Sequence, residues 1–198
     1  MPLFIKANIY YMLGTSAVVA VYIRETDDAD LNDVLRVEGA AFEGGQEVEF
    51  TRGLLADPSA KPLLSLMAFI DDQPAGHILF TAARLVNSSR EVAVSFLAPL
   101  AVVPMFQKRG VGGSLINEGL ERLSRSGVDL VFVVGHPGYY PRYGFIQAGK
   151  LGFETPYPMA EEHAEAWMVR ALRPDLLGSV TGKVVCCDTL NKPELWRG

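Results

Sequence analysis

Between Val92 and Val134 the spacing of apolar residues changes twice, and this limits the fold more than any other feature of the chain. Val92 to Val103 is a nearly unbroken apolar stretch, too long and too continuous for an edge strand, so it is expected at the centre of a sheet. From Gly112 to about Ser126 the period becomes helical: Leu115, Ile116, Leu120 and Leu123, with Gly119, share one face, and Glu118, Glu121, Arg122 and Arg125 lie on the other. Gly127 ends that helix, and Val128 to Val134 reads as a short, strongly apolar strand. Strand, helix and strand make a βαβ unit with parallel strands. Pro99 denies the central strand one donor and predicts a bulge or local splay there.

The segments before this unit are antiparallel in character. Leu63 to Ile70, the turn Asp71-Asp72-Gln73-Pro74, and Ala75 to Ala83 read as a hairpin. Further upstream, Val18 to Ile23 reads as a strand, and a helix capped by Thr26 or Asp27 runs to about Phe42. Leu31, Val34, Leu35 and Phe42 form its stripe, with Glu38 on the same face. Gly44-Gly45 breaks the chain before a second short helix from about Glu47 to Leu55. The fold class is therefore α/β, or α+β, with a mixed sheet.

Charge narrows the partners. The 198 residues hold 18 Lys+Arg against 23 Asp+Glu, a net of −5, divided as 7 basic and 13 acidic in residues 1–99 and 11 and 10 in residues 100–198. No basic stripe is present, which argues against nucleic acid while leaving room for a small phosphate site. The two cysteines, Cys186 and Cys187, are neighbours that would point to opposite faces of a strand, one to core and one to surface, and do not suit an ordinary disulfide. A reducing compartment, the cytoplasm, fits this usage. His77, His136 and His163 are far apart in sequence and offer no metal constellation. Ala7 to Ile23 is a run of 17 uncharged residues, but Gly14, Thr15 and Ser16 interrupt it and its second half is a good strand, so a signal or membrane role is disfavoured. Residues 1–17 are expected to be an extension, with Met12 as a second candidate start.

The loop Gln107-Lys108-Arg109-Gly110-Val111-Gly112-Gly113 joins the central strand to its helix. Freed N–H groups at a helix start, residues without Cβ and two cations make a pyrophosphate cradle. A P-loop is excluded, because with Gly113 as its second glycine the first falls on Lys108 and the lysine on Ser114; a dinucleotide fingerprint fails because its third glycine falls on Leu115.

The remaining pattern, Q-x-x-G-x-G at Gln107, Gly110 and Gly112, resembles motif A of the GNAT superfamily of N-acetyltransferases. Gly135-His136-Pro137-Gly138-Tyr139-Tyr140-Pro141-Arg142-Tyr143-Gly144-Phe145 is similar to the FYxxxGF ending of motif B in one branch of that superfamily, and Leu190 to Arg197 is similar to the tail of the same branch.

The resemblance implies a GNAT fold, a mixed sheet of about seven strands with two splayed parallel strands and flanking helices. The chain would divide into the extension, one N-acetyltransferase domain over residues 18–172 and a C-terminal tail over 173–198 packed on it. It implies acetyl-CoA as co-substrate and no metal, with pantetheine against Leu100, Ala101 and Val102 and the phosphates on Gln107, Lys108, Arg109, Gly110, Val111, Gly112 and Gly113. Tyr140, four residues before Gly144, matches the acid that protonates the departing thiolate; a phenol near its ordinary pKa of about 10 can donate at neutral pH. Pro137 and Pro141 shorten the segment between the second parallel strand and this motif, which makes Tyr139 a second candidate. The central strand carries no Glu or Asp, so the base is open among water, His136, Glu38 and Glu49.

The acceptor class implied is a small-molecule amine or a peptide N-terminus, with no nucleic acid and no membrane as partners and a homodimer as an allowed assembly. A catalytically silent acyl-CoA-binding sensor of the same fold is the alternative. Glu38, Glu43, Glu47 and Glu49, with Glu161, Glu162 and Glu165, would give the acceptor side acidic walls that favour a cationic acceptor. Read without the resemblance, His136 is a loop histidine and Glu38 a boundary residue whose carboxylate reaches solvent.

Overall fold

The period-2 segments pair into one mixed sheet. In the computed structural model, which describes residues 9–10, 20–42 and 45–196, the strands are β1 Ile9–Tyr10, β2 Val21–Glu25, β3 Leu64–Ile70, β4 Gln73–Val86, β5 Val94–Val102, β6 Leu130–Val134, β7 Ile146–Gln147, β8 Phe153–Glu154, β9 Trp167–Ala171 and β10 Gly182–Cys186. Met12, Glu43, Gly44 and Arg197, and the expected extension over residues 1–17 apart from β1, lie outside the described residues. β1, β7 and β8 have two residues each, so seven longer strands carry the sheet, as expected. Its order is β1-β2-β3-β4-β5-β6-β9-β7, and β10 pairs with both β4 and β8.

Along that order β5 and β6 are the parallel pair, reached through the crossover helix α3, Val111–Arg125. The β3–β4 hairpin turns on Asp71 and Asp72, both at positive φ (48° and 59°), with Ile70 opposite Gln73. This two-residue connection suits the twist of antiparallel strands. The turn is therefore shorter than expected, and Pro74 lies within β4.

Each face of the sheet has its own core. On one, α3 lies over Leu66, Ala68, Ile78 and Phe80, and a side chain at Gly119 would overlap the Phe80 ring. On the other lie α1, Leu31–Ala41, and α2, Gln46–Ala56, which follow the two expected helices. The carboxylate of Asp27 accepts the Ala29 N–H and caps the short 3-10 turn that opens α1.

The C-terminal segment completes this second face. β10 pairs with the end of β4 that extends past β3, Ala83 to Val86, and Trp196 packs edge-on against Phe96 and Trp167. Cys186 and Cys187 are both buried, at 7% and 3% exposure, because Cys187 lies past the end of β10 and joins the buried cluster that holds Leu54 of α2, in place of the expected surface position.

Asp57 fastens this segment: one oxygen accepts the Ser59 N–H and hydroxyl (2.8 and 2.6 Å), the other the Thr189 N–H (2.8 Å). Burial alone would raise its carboxyl, but the bonds from Ser59 and Thr189 outweigh it and hold the group well below the usual range. Asp57→Ala is expected to cost about 1–3 kcal/mol in denaturant unfolding, since those donors lose their acceptor; an unchanged midpoint would remove the latch. Because the folded pKa is depressed, this stabilisation is present above the unfolded value of about 3.9 and fades as pH falls below it.

Candidate active site

β5 and β6 run together from Val94 opposite Leu130 to Leu97 opposite Val133, where their pairing ends. On its other side β5 has a register shift: Phe80 faces Leu97 but Ile78 faces Leu100, so Ala98 and Pro99 form the irregularity predicted from the proline. The strands diverge around a cleft of about 860 Å³, with Ala98, Pro99, Leu100 and Val102 on one wall, Val134, Gly135, Tyr139 and Tyr140 on the other, and Gln107, Lys108 and Gly110 to Gly113 at its base.

Alternation along β5 decides which groups the cleft receives. The Val103 N–H donates to Ala75 O at 2.9 Å, so Val103 and Ala101 turn their backbone polar groups toward β4. Leu100 and Val102, alternating with them, turn theirs to the open side, and the Val102 carbonyl accepts from Gln107 Nε2 at 3.1 Å. Ala101 is fully buried against α1 and does not line the cleft.

The start of α3 forms the base. Gly110, at φ 82°, is its N-cap, no side chain caps it, and Ser114 N–H is the first of its amides to bond back, to Gly110 O at 2.9 Å. The amides of Val111, Gly112 and Gly113 therefore form an uncapped helix start, which favours an anion. Lys108 lines the cleft beside them. Arg109 does not; its guanidinium lies over the Phe106 ring, 5.8 Å from the centroid. Arg142, which was read only as part of the motif, lines the cleft and stacks 4.6 Å over Tyr139.

Three tyrosines lie on the opposite wall. Tyr140 is 8% exposed, its ring meets Phe145 edge-on, and a side chain at Gly135 would overlap it. Burial, helped by Tyr143, pushes its phenol up to about 12. Tyr139 is half-buried; burial, together with its hydrogen bond to Tyr143, raises its phenol further above the ordinary value. The Tyr139 and Tyr143 hydroxyls reach over the helix start, 2.5 and 2.6 Å from where a Cβ would stand on Gly112 and Gly113. Both glycines thus permit a close approach that the phosphate argument alone had not anticipated.

The candidate bases separate. His136 is exposed at the cleft rim, and its Nδ1 accepts the Gly138 N–H at 3.0 Å. Glu49 is exposed and pairs with Arg52 at 3.5 Å. Glu38 does not reach solvent: it is fully buried, with Oε1 2.6 Å from His77 Nδ1. The helical stripe placed Glu38 on the inner face, but the partner that holds it there, His77 on β4, is 39 residues away and carried no local signal. Of the acidic segments, Glu161, Glu162 and Glu165 are exposed in a 3-10 stretch whose last residue, Ala166, accepts the Gly135 N–H at the cleft edge (3.0 Å).

Among the described residues no group of histidine, cysteine and carboxylate side chains could hold a metal ion, and no helix is long and apolar enough to cross a membrane. Residues 22–148 match the acetyltransferase (GNAT) domain family. The chain is 43% identical over 164 residues to the uncharacterized N-acetyltransferase YjhQ of Escherichia coli strain K12, covering 82% of this chain and 90% of that protein. Its fold resembles the crystal structure of the GNAT family N-acetyltransferase YhbS from Escherichia coli in complex with CoA (TM-score 0.78, 25% identity, 91% of this chain and 97% of that one). It also resembles a GNAT family acetyltransferase from Brucella melitensis in complex with acetyl-CoA (TM-score 0.65, 28% identity, 86% and 97%).

Proposed function

The chain belongs to the GNAT acetyltransferase family, and we propose that within it this protein transfers an acetyl group from acetyl-CoA to a primary amine by direct attack on the thioester. One observation carries the reading: the uncapped start of α3 lies at the base of a cleft between two diverging parallel strands, with a buried tyrosine in its far wall. The two CoA-bound and acetyl-CoA-bound relatives support the choice of donor.

In this reading the amides of Gly110 to Gly113 hold the pyrophosphate, with Lys108 and Arg142 adding charge, each such contact at a helix start contributing about 0.3–1 kcal/mol. Leu100 and Val102 pair through their backbones with the pantetheine amides. A backbone N–H of β5 faces the carbonyl oxygen as negative charge develops on it. Tyr140 donates to sulfur as the C–S bond breaks. The catalytic domain spans residues 18–172, and the C-terminal segment that follows adds β10 to its sheet and packs Trp196 on its core. The cytoplasm fits two free cysteines.

The acceptor is assigned by charge. α2 carries Glu47 and Glu49 in its first turn, and Glu161, Glu162 and Glu165 are exposed in the stretch whose last residue, Ala166, bonds Gly135 of the cleft, so a cationic small amine or peptide N-terminus is favoured. The test is thiol release from acetyl-CoA in the presence of cationic amines, peptide N-termini and anionic amino acids. Release is expected with the first two. A preference for anionic acceptors would refute the charge argument, and acetyl-CoA binding without release for any acceptor would make the chain a silent acyl-CoA sensor.

A further inference from the structure

A continuous line of hydrogen bonds crosses the sheet beneath α1 and α2. Thr26 Oγ1 donates to Ser65 Oγ at 2.6 Å, Ser65 Oγ lies 2.9 Å from His77 Nε2, and His77 Nδ1 lies 2.6 Å from Glu38 Oε1. Ser65, His77 and Glu38 are at most 5% exposed. Every group in this line can both give and accept a proton, so moving one proton outward reverses each bond without breaking the line.

Its two ends differ. The outer end, Thr26 and Ser65, lines an opening of about 480 Å³ with Asp27, Arg52 and Lys61. At the inner end Glu38 Oε2 is buried with no partner among the described residues, and so are Glu47 Oε2 and Thr51 Oγ1, one turn apart on α2. That end lies one helical turn from the cleft: Glu38 does not line it, but Phe42, four residues further on and bonded through its N–H to Glu38 O at 3.1 Å, does. His77, for its part, faces Ala101, next to the cleft residue Leu100. Of these three only the Thr51 hydroxyl can also donate, so the two carboxylate oxygens suit a group made only of donors, and an ammonium is one.

We propose, building on the acetyl transfer above, that Glu38 takes the acceptor's ammonium proton and that His77, Ser65 and Thr26 conduct it to the opening at the far end of the line, between α1 and α2. The proton balance requires such an outlet. An ammonium acceptor enters with three N–H bonds and leaves as an amide with one; the C–N bond forms, the C–S bond breaks and sulfur keeps one proton. One proton must therefore leave the buried site per turnover, whereas an acceptor that arrives neutral releases none. Among the described residues the titratable groups facing Glu38 are His77 from β4 and Glu47 from α2. Burial raises the Glu38 carboxyl, against the lowering by His77 and with some help from Glu47, which strengthens it as a base. Glu38 is the catalytic residue in this proposal; His77, Ser65 and Thr26 act through it.

The test follows kcat against pH with acetyl-CoA and the alkylammonium acceptor turned over fastest in the acceptor series. Ser65→Ala is expected to lose about tenfold in kcat near pH 7 with KM for acetyl-CoA unchanged, and Glu38→Gln about a hundredfold. Both deficits should close as pH rises toward the acceptor's own pKa, and Ser65→Thr, which restores the hydroxyl, should recover most of the loss. Thr26→Val breaks the outermost link at a half-buried site and should reproduce the Ser65→Ala profile. Deficits constant across pH would show a merely structural role, and wild-type profiles in all these variants would overturn the relay while leaving acetyl transfer intact. If the wild type acetylates no acceptor, the proposed function fails first and the relay with it.

Discussion

Tyr140→Phe will lower kcat about a hundredfold while leaving acetyl-CoA affinity unchanged. General acids contribute roughly 10²–10⁴, and the environment of Tyr140 places the expectation at the lower end. Its phenol is pushed up to about 12 by burial, whereas a thiol titrates near about 8.5 in water. Full transfer from so weakly acidic a phenol to the departing thiolate would thus be uphill. Tyr140 therefore acts by hydrogen bonding to sulfur as charge accumulates, and the far more acidic ammonium formed on attack supplies the proton that sulfur keeps. Affinity should not change, because the ring is held by Gly135, Phe145 and Tyr139 whether or not the hydroxyl is present. Steady-state kinetics beside calorimetric titration of acetyl-CoA separates the two quantities. Tyr139→Phe is the control: its hydroxyl bonds Tyr143 and faces Gly112, so kcat should fall only a few-fold. Full activity in Tyr140→Phe together with a dead Tyr139→Phe would move the role to Tyr139.

Local patterns carried most of the fold. The change from period 2 to period 3.6 at the Gln107 loop placed β5, α3 and β6 within two residues at nearly every boundary, because each segment buries one face and its sequence must repeat accordingly. Pro99 marked the divergence of the parallel strands for the same reason, since a missing N–H leaves a trace in the chain itself. What stayed hidden depends on distant partners. Glu38 was legible as a carboxylate on an apolar stripe, but its full burial depends on His77, and His77 in turn on Ser65, none of them close in sequence. Ala101 and Arg109 differ from their neighbours in the other direction. A motif names consecutive residues, but a strand alternates its backbone polar groups and an exposed arginine can stack on a neighbouring ring, so only part of each run reaches the cleft.

Gly112→Val should weaken acetyl-CoA binding at least about a hundredfold, roughly 2.8 kcal/mol at 1.4 kcal/mol per decade. The side chain would project into the cleft, its Cβ 2.5 Å from the Tyr139 hydroxyl and 3.5 Å from Val102 Cγ2, on the two walls that the donor must pass between. Loss of binding has two possible origins, and a second substitution separates them. If the new side chain acts by displacing Tyr139, removing that hydroxyl relieves the contact, since the next ring atom lies 3.7 Å away. Tyr139→Phe added to Gly112→Ala should then restore affinity. If the Cβ acts by screening the open amides of Val111 to Gly113 from an anion, the double variant stays weak although its fold is relaxed. The phosphate-cradle reading predicts the second result, with equal thermal midpoints for wild type and double variant. Wild-type affinity in Gly112→Val would remove the start of α3 from the donor site altogether.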